Sequence, residues 1–348
     1  MRVLHLIAGS PIGGAETYAQ DAILALAERG LEQKVVCRPH PIAQARFTDA
    51  GIAAAPFGFS FWQGRFGGPQ KIAGQARDFA PDLIHAWMGR AASFVPAGLA
   101  MPALGWFGGY YDLKYYRHID GFVGVTHDIV RHIVASGAPV ERSFVAHTFG
   151  TLPDAPPVDR AAFDTPPDRP VILVLSRMHA KKGIDTIIRA MAQVPGAYLW
   201  LAGDGPEKGR YETLAKALGL DDRIRFLGWR TDRKALFAAC DVCALPSRYE
   251  PFGTVIAEAW AMDKPLVAAR AAGARQYVRH GETGLLCDID DVEGLAGQLN
   301  AALIDKRLAA RLVAAGAQEY QRAFSKQAST DALIDVYERM IALGKWRR

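Results

Sequence analysis

Short apolar runs alternate with stretches of helical periodicity along most of the chain. Residues 3–8 form an apolar run of strand length, and the segment after it predicts a helix by apolar residues at spacings of three and four, namely Ala15, Tyr18, Ala19, Ala22, Ile23 and Leu26. Further apolar runs predict buried strands at 35–36, 83–84, 122–125, 171–175, 198–202, 223–227, 242–245 and 265–269. Alternation of this kind predicts parallel sheets covered by helices on both faces.

A proline-rich segment interrupts this pattern near the middle of the chain. Six of the twenty residues between 151 and 170 are proline, which is typical of a linker between domains. We therefore predict an N-terminal α/β domain at 1–160 and a second at 161–325. A final helix at 326–348 has an apolar face and is expected to pack back on the N-terminal domain, through Leu333, Val336, Tyr337 and Met340.

The uncharged stretch 91–111 is long enough to cross a bilayer, but it contains Pro96, Pro102 and four glycines. These residues interrupt helix hydrogen bonding and lower helix propensity, so we predict a buried helix, a turn at 101–102 and a short strand instead.

Composition and charge narrow the function classes. The chain has 348 residues, half of them apolar or aromatic and 22% charged, as in globular proteins. Its four cysteines are too few for a disulfide framework, and the N-terminus lacks the pattern of a signal peptide, so a cytoplasmic protein is expected. Basic and acidic residues balance at 14 each in 1–165 but number 27 and 22 in 166–348. No nucleic-acid-binding motif accompanies this excess, which fits either a small anionic ligand such as a phosphate ester or a solvated surface without a partner.

The strongest chemical pattern lies between Pro246 and Ala259, after the strand that ends at Leu245. A helix is predicted to begin near Gly253, so that its first unpaired N–H groups face a phosphate, at Phe252, Gly253, Thr254 and Val255. Glu258, about one turn into this helix, is placed to accept hydrogen bonds from a vicinal diol such as a ribose. Glu250, on the preceding loop, is placed to reach hydroxyls on the other side of the phosphates.

The spacing of Glu250 and Glu258 matches the Glu-x7-Glu motif of retaining GT-B glycosyltransferases, and the chain resembles glycosyltransferase family 4. Other segments follow in the family's order: the segments at 176–183, 201–206, 226–228, 241–247 and 283–286, and the glycine loop at 13–16. The resemblance implies the GT-B fold, an α/β architecture with two Rossmann-like domains facing each other across a cleft.

The same resemblance implies a retaining transfer of a sugar from a nucleotide-diphosphate donor to a glycan or lipid-linked acceptor. Arg177, Lys182 and Glu250 are the expected catalytic residues, and the two cations would neutralise the departing diphosphate without a metal or cofactor. The expected donor-binding set is Gly13, Gly14, Arg177, Lys182, Glu250, Phe252, Gly253, Thr254, Val255 and Glu258. Typical members act in bacterial lipopolysaccharide or polysaccharide synthesis, at the cytoplasmic face of the inner membrane and in peripheral contact with it.

Two departures from the family pattern leave alternatives open. Gln276 stands where members often have a glutamate, and the stretch 105–111 lacks their acceptor-side histidine. These two features leave open a non-catalytic sugar-nucleotide binding protein, and the nearest enzyme alternative is a sugar-nucleotide epimerase or hydrolase of the same fold. His85 is expected to be a packed structural histidine, and the aromatic residues at 57–62 and at 110–116 are either core residues or contacts for sugars or a membrane.

Two further patterns imitate metal sites. Cys240 and Cys243 have the spacing of a metal-binding pair without a second pair, and we interpret them as packed thiols. Asp288 and Asp290 form an Asp-x-Asp sequence just before a predicted helix, and we interpret them as helix N-caps.

Overall fold

The computed structural model describes residues 1–9, 14–156 and 158–346, and the chain divides into two compact units. The first unit is formed by Met1–Phe149 together with Lys326–Arg348, and the second by Gly150–Ser325. The segment predicted as a linker therefore belongs, over its described residues, to the second unit, where a short 3-10 turn occupies Arg160–Phe163.

The first unit contains a seven-stranded parallel sheet among its described residues. The strands are β1 Arg2–Ile7, β2 Glu32–Cys37, β3 Ala53–Pro56, β4 Leu83–Trp87, β5 Ala103–Phe107, β6 Gly121–Gly124 and β7 Ser143–Val145. Their order across the sheet is β3-β2-β1-β4-β5-β6-β7. Every residue of β4 and β5 is buried, as expected for parallel strands covered on both faces.

The helices of the first unit connect its strands or pack against them. They are α1 Gly14–Glu28, α2 Pro41–Asp49, α3 Phe61–Arg65, α4 Gly68–Phe79, α5 Met88–Ala92, α6 His127–Ala135 and, from the end of the chain, α14 Lys326–Leu343. The predicted apolar face of α14 is confirmed, because Leu333, Val336, Tyr337 and Met340 are all buried.

A buried polar cluster lies beneath α14 in the first unit. His85 Nδ1 is 2.6 Å from the Tyr337 hydroxyl, and His5 Nε2 is 2.8 Å from Gln33 Oε1. Trp87 Nε1 donates a hydrogen bond of 3.3 Å to His5 Nδ1. His85 is fully buried and bonded to a helix of its own unit, so its interpretation as a structural histidine is confirmed.

Over its described residues, the second unit contains a six-stranded parallel sheet. Its strands are β8 Val171–Leu175, β9 Tyr198–Ala202, β10 Ile224–Gly228, β11 Val242–Leu245, β12 Leu266–Ala269 and β13 Leu285–Cys287. Their order is β10-β9-β8-β11-β12-β13, which is the doubly wound order of a Rossmann domain. Its helices are α7 Ile184–Ala190, α8 Lys208–Ala217, α9 Arg233–Ala239, α10 Thr254–Ala261, α11 Ala272–Tyr277, α12 Val292–Ile304 and α13 Lys306–Glu319.

The strands predicted from long apolar runs agree with the structure, and the weakly patterned ones were missed. Strands β8, β9 and β11 begin and end where predicted. Strand β3 was not predicted because its sequence is Ala-Ala-Ala-Pro, which has no strand periodicity. In the uncharged stretch the strand is confirmed as β5, but the expected helix was wrong in position, since α5 ends at Ala92. No helix in the described ranges is long and apolar enough to span a bilayer.

Candidate active site

The second sheet has a switch point between β8 and β11, where the strand order reverses. In doubly wound sheets, ligands bind at the carboxyl ends of the strands on either side of this point. The loop after β8 carries Arg177 and Lys182, and the loop after β11 carries Glu250. The topology therefore brings these three predicted residues to the same edge of the sheet.

Glycines allow the backbones around this edge to approach each other closely. A Cβ atom on Gly183, which has a φ of +61°, would lie 2.0 Å from the carbonyl oxygen of Pro246. A Cβ atom on Gly203 would lie 1.9 Å from the carbonyl oxygen of Ser176. Glycine at these positions lets the loops after β8, β9 and β11 pack directly on one another.

Lys182 and Glu250 form an ion pair across the switch point. Lys182 lies in a 3-10 turn at Ala180–Lys182, and its Nζ is 2.5 Å from Glu250 Oε2. Both side chains are mostly buried, with 25% and 17% of their surfaces exposed. The Glu250 backbone is held as well, since its carbonyl accepts a hydrogen bond of 2.8 Å from the Gly273 N–H. An ammonium and a carboxylate are thus held together where a ligand of the sheet would bind.

Arg177 lies two residues after the end of β8, and its side chain is exposed. Among the described residues, its guanidinium has no hydrogen bond or ion pair with another side chain. Its donors therefore stay available to an anionic ligand, in contrast to Lys182, whose charge is already paired in the protein.

The N-terminus of α10 adds backbone donors to the side-chain cations of the second unit. Gly253 precedes the helix with a φ of +84°, a left-handed conformation that favours glycine. Phe252 is 7% exposed and packs against Tyr277 and Phe324, so it anchors the loop just before the helix. The first N–H groups of a helix have no partner within it and carry the positive end of the helix dipole. The prediction of a helix start at this position is confirmed.

Glu258 lies in α10 with only 2% of its surface exposed. Its Oε1 forms an ion pair with Arg233, the first residue of α9. Its Oε2 has no hydrogen-bond partner within the described part of the protein. Burial lowers the pKa of the Arg233 guanidinium. A buried carboxylate oxygen without a donor favours a ligand that supplies hydroxyl groups.

A network around Arg248 was not predicted from the sequence. Its guanidinium lies 2.9 Å from Asp185 Oδ1 and 2.7 Å from Asp290 Oδ1. These two hydrogen-bonded carboxylates raise the pKa of Arg248. Its backbone N–H donates to the Lys181 carbonyl at 2.9 Å. Arg248 thus connects the loop after β11 to the turn that carries Lys182 and to the loop after β13.

The assignment of Asp288 and Asp290 as helix N-caps was wrong. The N-cap of α12 is Asp291, whose side chain accepts from the Gly294 N–H at 2.8 Å. Asp290 instead binds Arg248 and accepts a hydrogen bond from Thr186, while Asp288 is exposed and 3.3 Å from Arg270. The carboxylates are held by cations, and the described ranges contain no group of three or more His, Cys, Asp or Glu residues able to hold a metal.

The other predicted positions are distributed as follows. Thr254 is exposed, Val255 is half-buried, and Gly14 is the first residue of α1 in the first unit, whereas Gly13 lies outside the described residues. Cys240 and Cys243 are buried free thiols, as interpreted. Gln276 donates a hydrogen bond of 3.2 Å to the Ala272 carbonyl in its own helix.

Comparison with known proteins assigns the chain to a family. Residues 12–149 match the model described as Glycosyltransferase Family 4, and residues 157–319 match Glycosyl transferases group 1. The lipopolysaccharide core biosynthesis glycosyltransferase LpsE of Rhizobium meliloti is 36% identical over 97% of this chain and 98% of its own length. The chain belongs to glycosyltransferase family 4. It is an enzyme, a glycosyltransferase, and the relatives support this interpretation over the epimerase, hydrolase and non-catalytic alternatives.

Further relatives agree with the fold implied by the resemblance. LpsD of Rhizobium meliloti, also a lipopolysaccharide core biosynthesis glycosyltransferase, is 34% identical over 98% of this chain and 99% of its own. The structure of Anabaena HepE in complex with UDP has a TM-score of 0.82 and 23% identity, covering 97% of this chain and all of that one. Sucrose-phosphate synthase from Thermosynechococcus elongatus has a TM-score of 0.80 and 22% identity, and the match covers 99% of this chain and 100% of that one. The GT-B prediction of two Rossmann-like α/β domains is therefore confirmed.

Proposed function

We propose that this enzyme transfers a sugar from a uridine-diphosphate donor to the core region of a lipopolysaccharide, with retention of the anomeric configuration. The donor class is supported by HepE, whose structures contain UDP and UDP-glucose. The acceptor class is supported by the names of LpsE and LpsD, which match this chain over nearly all of its length. We propose that the enzyme works at the cytoplasmic face of the inner membrane.

The observation that carries the proposal is the Lys182–Glu250 ion pair at the switch point, next to the N-terminus of α10. A diphosphate bound there would accept hydrogen bonds from the N–H groups of Thr254 and Val255. Arg177 and Lys182 would then neutralise the charge that develops as the glycosidic bond breaks. Glu250, hydrogen-bonded to Lys182, would face the transferred sugar, and the unpartnered oxygen of Glu258 would accept from the ribose hydroxyls.

We propose that no metal ion takes part in this reaction. Arg177, Lys182 beside its partner Glu250, and the helix dipole would supply the positive charge that a divalent ion provides in other phosphate-binding sites. The nearest Asp-x-Asp sequence, at Asp288 and Asp290, is neutralised by Arg270 and Arg248. A chelator should therefore leave the initial rate of transfer nearly unchanged, and a loss of rate restored by Mg²⁺ or Mn²⁺ would contradict this part of the proposal.

The function is tested by a transfer assay with UDP-, GDP- and ADP-sugars and a truncated lipopolysaccharide core dispersed in detergent. We expect product with a UDP-sugar, with the anomeric configuration of the donor retained by NMR. Lys182→Ala should lower kcat by about a hundredfold or more with the fold intact by circular dichroism. Transfer only from a GDP- or ADP-sugar would exclude the proposed donor, and near-normal turnover by Lys182→Ala would exclude the proposed role of this lysine.

A further inference from the structure

The first unit exposes three aromatic side chains around α3, which folding would be expected to bury. Phe61, Trp62 and Phe66 are 76%, 67% and 67% exposed. The rings of Trp62 and Phe66 are stacked with centroids 6.0 Å apart, and those of Phe61 and Trp62 are 5.7 Å apart. An exposed group of neighbouring aromatic rings marks an interaction surface more often than a scattered apolar residue does.

The opposite side of α3 is packed, so the helix that carries the exposed aromatic side chains is held in place. The helix begins with a capping box between Ser60 and Gln63. A Cβ atom on Gly68 would lie 2.3 Å from the Gln63 carbonyl, which shows how closely the start of α4 approaches α3. Beneath α3 lies a second aromatic group, formed by Phe57, Phe59 and Phe94, whose ring centroids are 4.8 to 5.8 Å apart. These three rings are buried, so Phe57 and Phe59 are core residues, whereas Phe61 and Trp62 of the same segment are exposed.

Cations lie on the surface next to the exposed rings. A groove of about 410 Å³ is lined by Phe61 and Arg90, among other residues, and a second groove of about 370 Å³ is lined by Lys114, Tyr115 and Arg117. The two grooves share Ser93, so they form one continuous surface. Among the residues that the structure describes, neither lining contains an Asp or Glu.

The charges of this surface remain largely available. Lys114 is paired with Asp112, and both side chains are more than half exposed. The guanidinium groups of Arg90 and Arg117 have no ion pair among the described residues. Tyr115 is 48% exposed and lies beneath the Lys114 ammonium, 5.1 Å from its ring centroid. The surface is therefore aromatic and positively charged.

We infer that this surface, defined by Phe61, Trp62, Phe66, Arg90, Lys114 and Arg117, binds an anionic lipid bilayer. Aromatic side chains, Trp above all, are favoured at the boundary between headgroups and acyl chains. Lys and Arg beside them are attracted to anionic headgroups, and the two effects together bind proteins peripherally. Of the three cations only Lys114 is paired with a carboxylate, that of Asp112, so the aromatic surface has an excess of positive charge that complements a negatively charged membrane. The inference rests on the proposed function in that a lipid-linked core acceptor is located in such a bilayer.

Vesicle flotation tests the inference with the full-length enzyme. We expect it to float with vesicles of phosphatidylglycerol and phosphatidylcholine but not with phosphatidylcholine alone, and to be released by salt. Phe61→Ser/Trp62→Ser/Phe66→Ser and, separately, Arg90→Gln/Lys114→Gln/Arg117→Gln should each lower the vesicle partition constant by about tenfold or more. The substituted side chains are exposed, so circular dichroism and thermal unfolding should match the unaltered protein.

A matched control is available on the second unit. Ile304 is 76% exposed, as much as Phe61, and lies next to the exposed cations Lys306, Arg307 and Arg311. Ile304→Ser combined with Lys306→Gln, Arg307→Gln and Arg311→Gln removes three positive charges, as many as the cation variant does, together with one exposed apolar side chain. This variant should float like the unaltered enzyme, and an equal loss of flotation would mean that only non-specific charge and hydrophobicity had been measured, which overturns the inference.

The outcomes separate this inference from the proposed function. Transfer to the detergent-dispersed acceptor should be unchanged in both surface variants. If the unaltered enzyme transfers sugar but does not float with anionic vesicles, or if both surface variants float as well as it does, the membrane surface is refuted and the function stands. If flotation falls as expected in the variants but no donor supports transfer, the function is refuted and the membrane surface stands.

Discussion

The two glutamates of the site differ in their partners within the protein, and under the proposed function we expect them to contact different parts of the donor. The carboxylate of Glu250 forms an ion pair with Lys182. In Glu258, one carboxylate oxygen forms an ion pair with Arg233, and the other has no partner in the described structure. Only the second arrangement offers a free buried acceptor. Free UDP contains the ribose and lacks the transferred sugar. We therefore expect the affinity for free UDP to depend on Glu258.

Calorimetry with free UDP should separate the two residues. Glu258→Gln should weaken binding by roughly 1–3 kcal/mol, because hydrogen bonds from the ribose to a charged group are lost. Glu250→Gln should leave the affinity within about twofold or improve it, since Lys182 loses its partner and its full charge faces the diphosphate. Equal weakening in the two variants would refute the assignment of ribose to Glu258.

Burial of two histidines makes the stability of the first unit sensitive to pH. Burial lowers the pKa of His5 to about 3, partly offset by its hydrogen bond with Gln33, and burial together with the neighbouring His5 lowers the pKa of His85 well below its ordinary value. The unfolded chain therefore binds more protons than the folded one below about pH 6.5, so stability is full above that pH and falls as the pH falls.

The expected loss between pH 7.5 and pH 5.5 is about 2–3 kcal/mol in the free energy of unfolding, if both histidines stay neutral in the folded state. Urea unfolding followed by tryptophan fluorescence at the two pH values measures it. His5→Gln should be less stable at pH 7.5 and should show roughly half the pH dependence. An unchanged pH dependence in that variant would show that other groups cause it.

At the scale of secondary-structure elements, the turn between β8 and α7 places Lys182 against the loop after β11. Gly183 ends this turn in a left-handed conformation that leaves no room for a Cβ beside Pro246. Gly183→Ala should cost about 1–3 kcal/mol in stability and displace the lysine, which lowers kcat. Thermal unfolding and initial rates measure both effects.

Two other glycines serve as controls for this substitution. Gly209 in α8 and Gly297 in α12 have helical conformations and open space where a Cβ would be added. Gly209→Ala and Gly297→Ala should therefore stabilise the protein by up to about 1 kcal/mol with unchanged kcat. A Gly183→Ala variant that behaves like these two would contradict the role assigned to the turn.

The Arg248 network should position Lys182 and Glu250 rather than bind the substrate. Arg248→Ala breaks the contacts to Asp185 and Asp290, and a displaced lysine should lower kcat by about ten- to a hundredfold with a smaller change in KM. Arg248→Lys should restore part of kcat, since it keeps one charged contact. Arg270→Ala is the matched control, because Arg270 pairs with Asp288, whose side chain is 80% exposed. An equal loss of kcat in Arg248→Ala and Arg270→Ala would contradict the positioning role of Arg248.

For the whole molecule, the sequence predicted what depends on local patterns. Strands β8, β9 and β11 are continuous apolar runs, and the start of α10 has a glycine and a strand end before it, so they were located from the chain alone. The pairing of Glu258 with Arg233 and of Asp290 with Arg248 was missed. Each joins residues far apart in the chain, and such contacts have no periodicity to detect.

The choice among neighbouring aspartates shows the same limit at closer range. Asp288, Asp290 and Asp291 are all suitable N-cap residues by type, and the backbone decides between them. Asp290 has a φ of +63°, which turns its side chain to Arg248, and only Asp291 reaches the Gly294 N–H. The sequence identifies three candidate N-cap residues, and the tertiary structure determines which of them caps the helix.

The return of α14 to the first unit has a consequence for how the protein is made. The first unit needs Tyr337 and Met340 to cover its sheet, yet Gly150–Ser325 are synthesised before them. At roughly 5–20 residues per second, the ribosome needs about 10 to 35 s to make that intervening unit. During that interval His85 lacks its hydroxyl partner, and the apolar surface beneath α14 is open to water. We therefore expect the second unit, which is continuous in the chain, to complete its fold on the ribosome first, and chaperones that bind nascent chains to recognise the unfinished first unit.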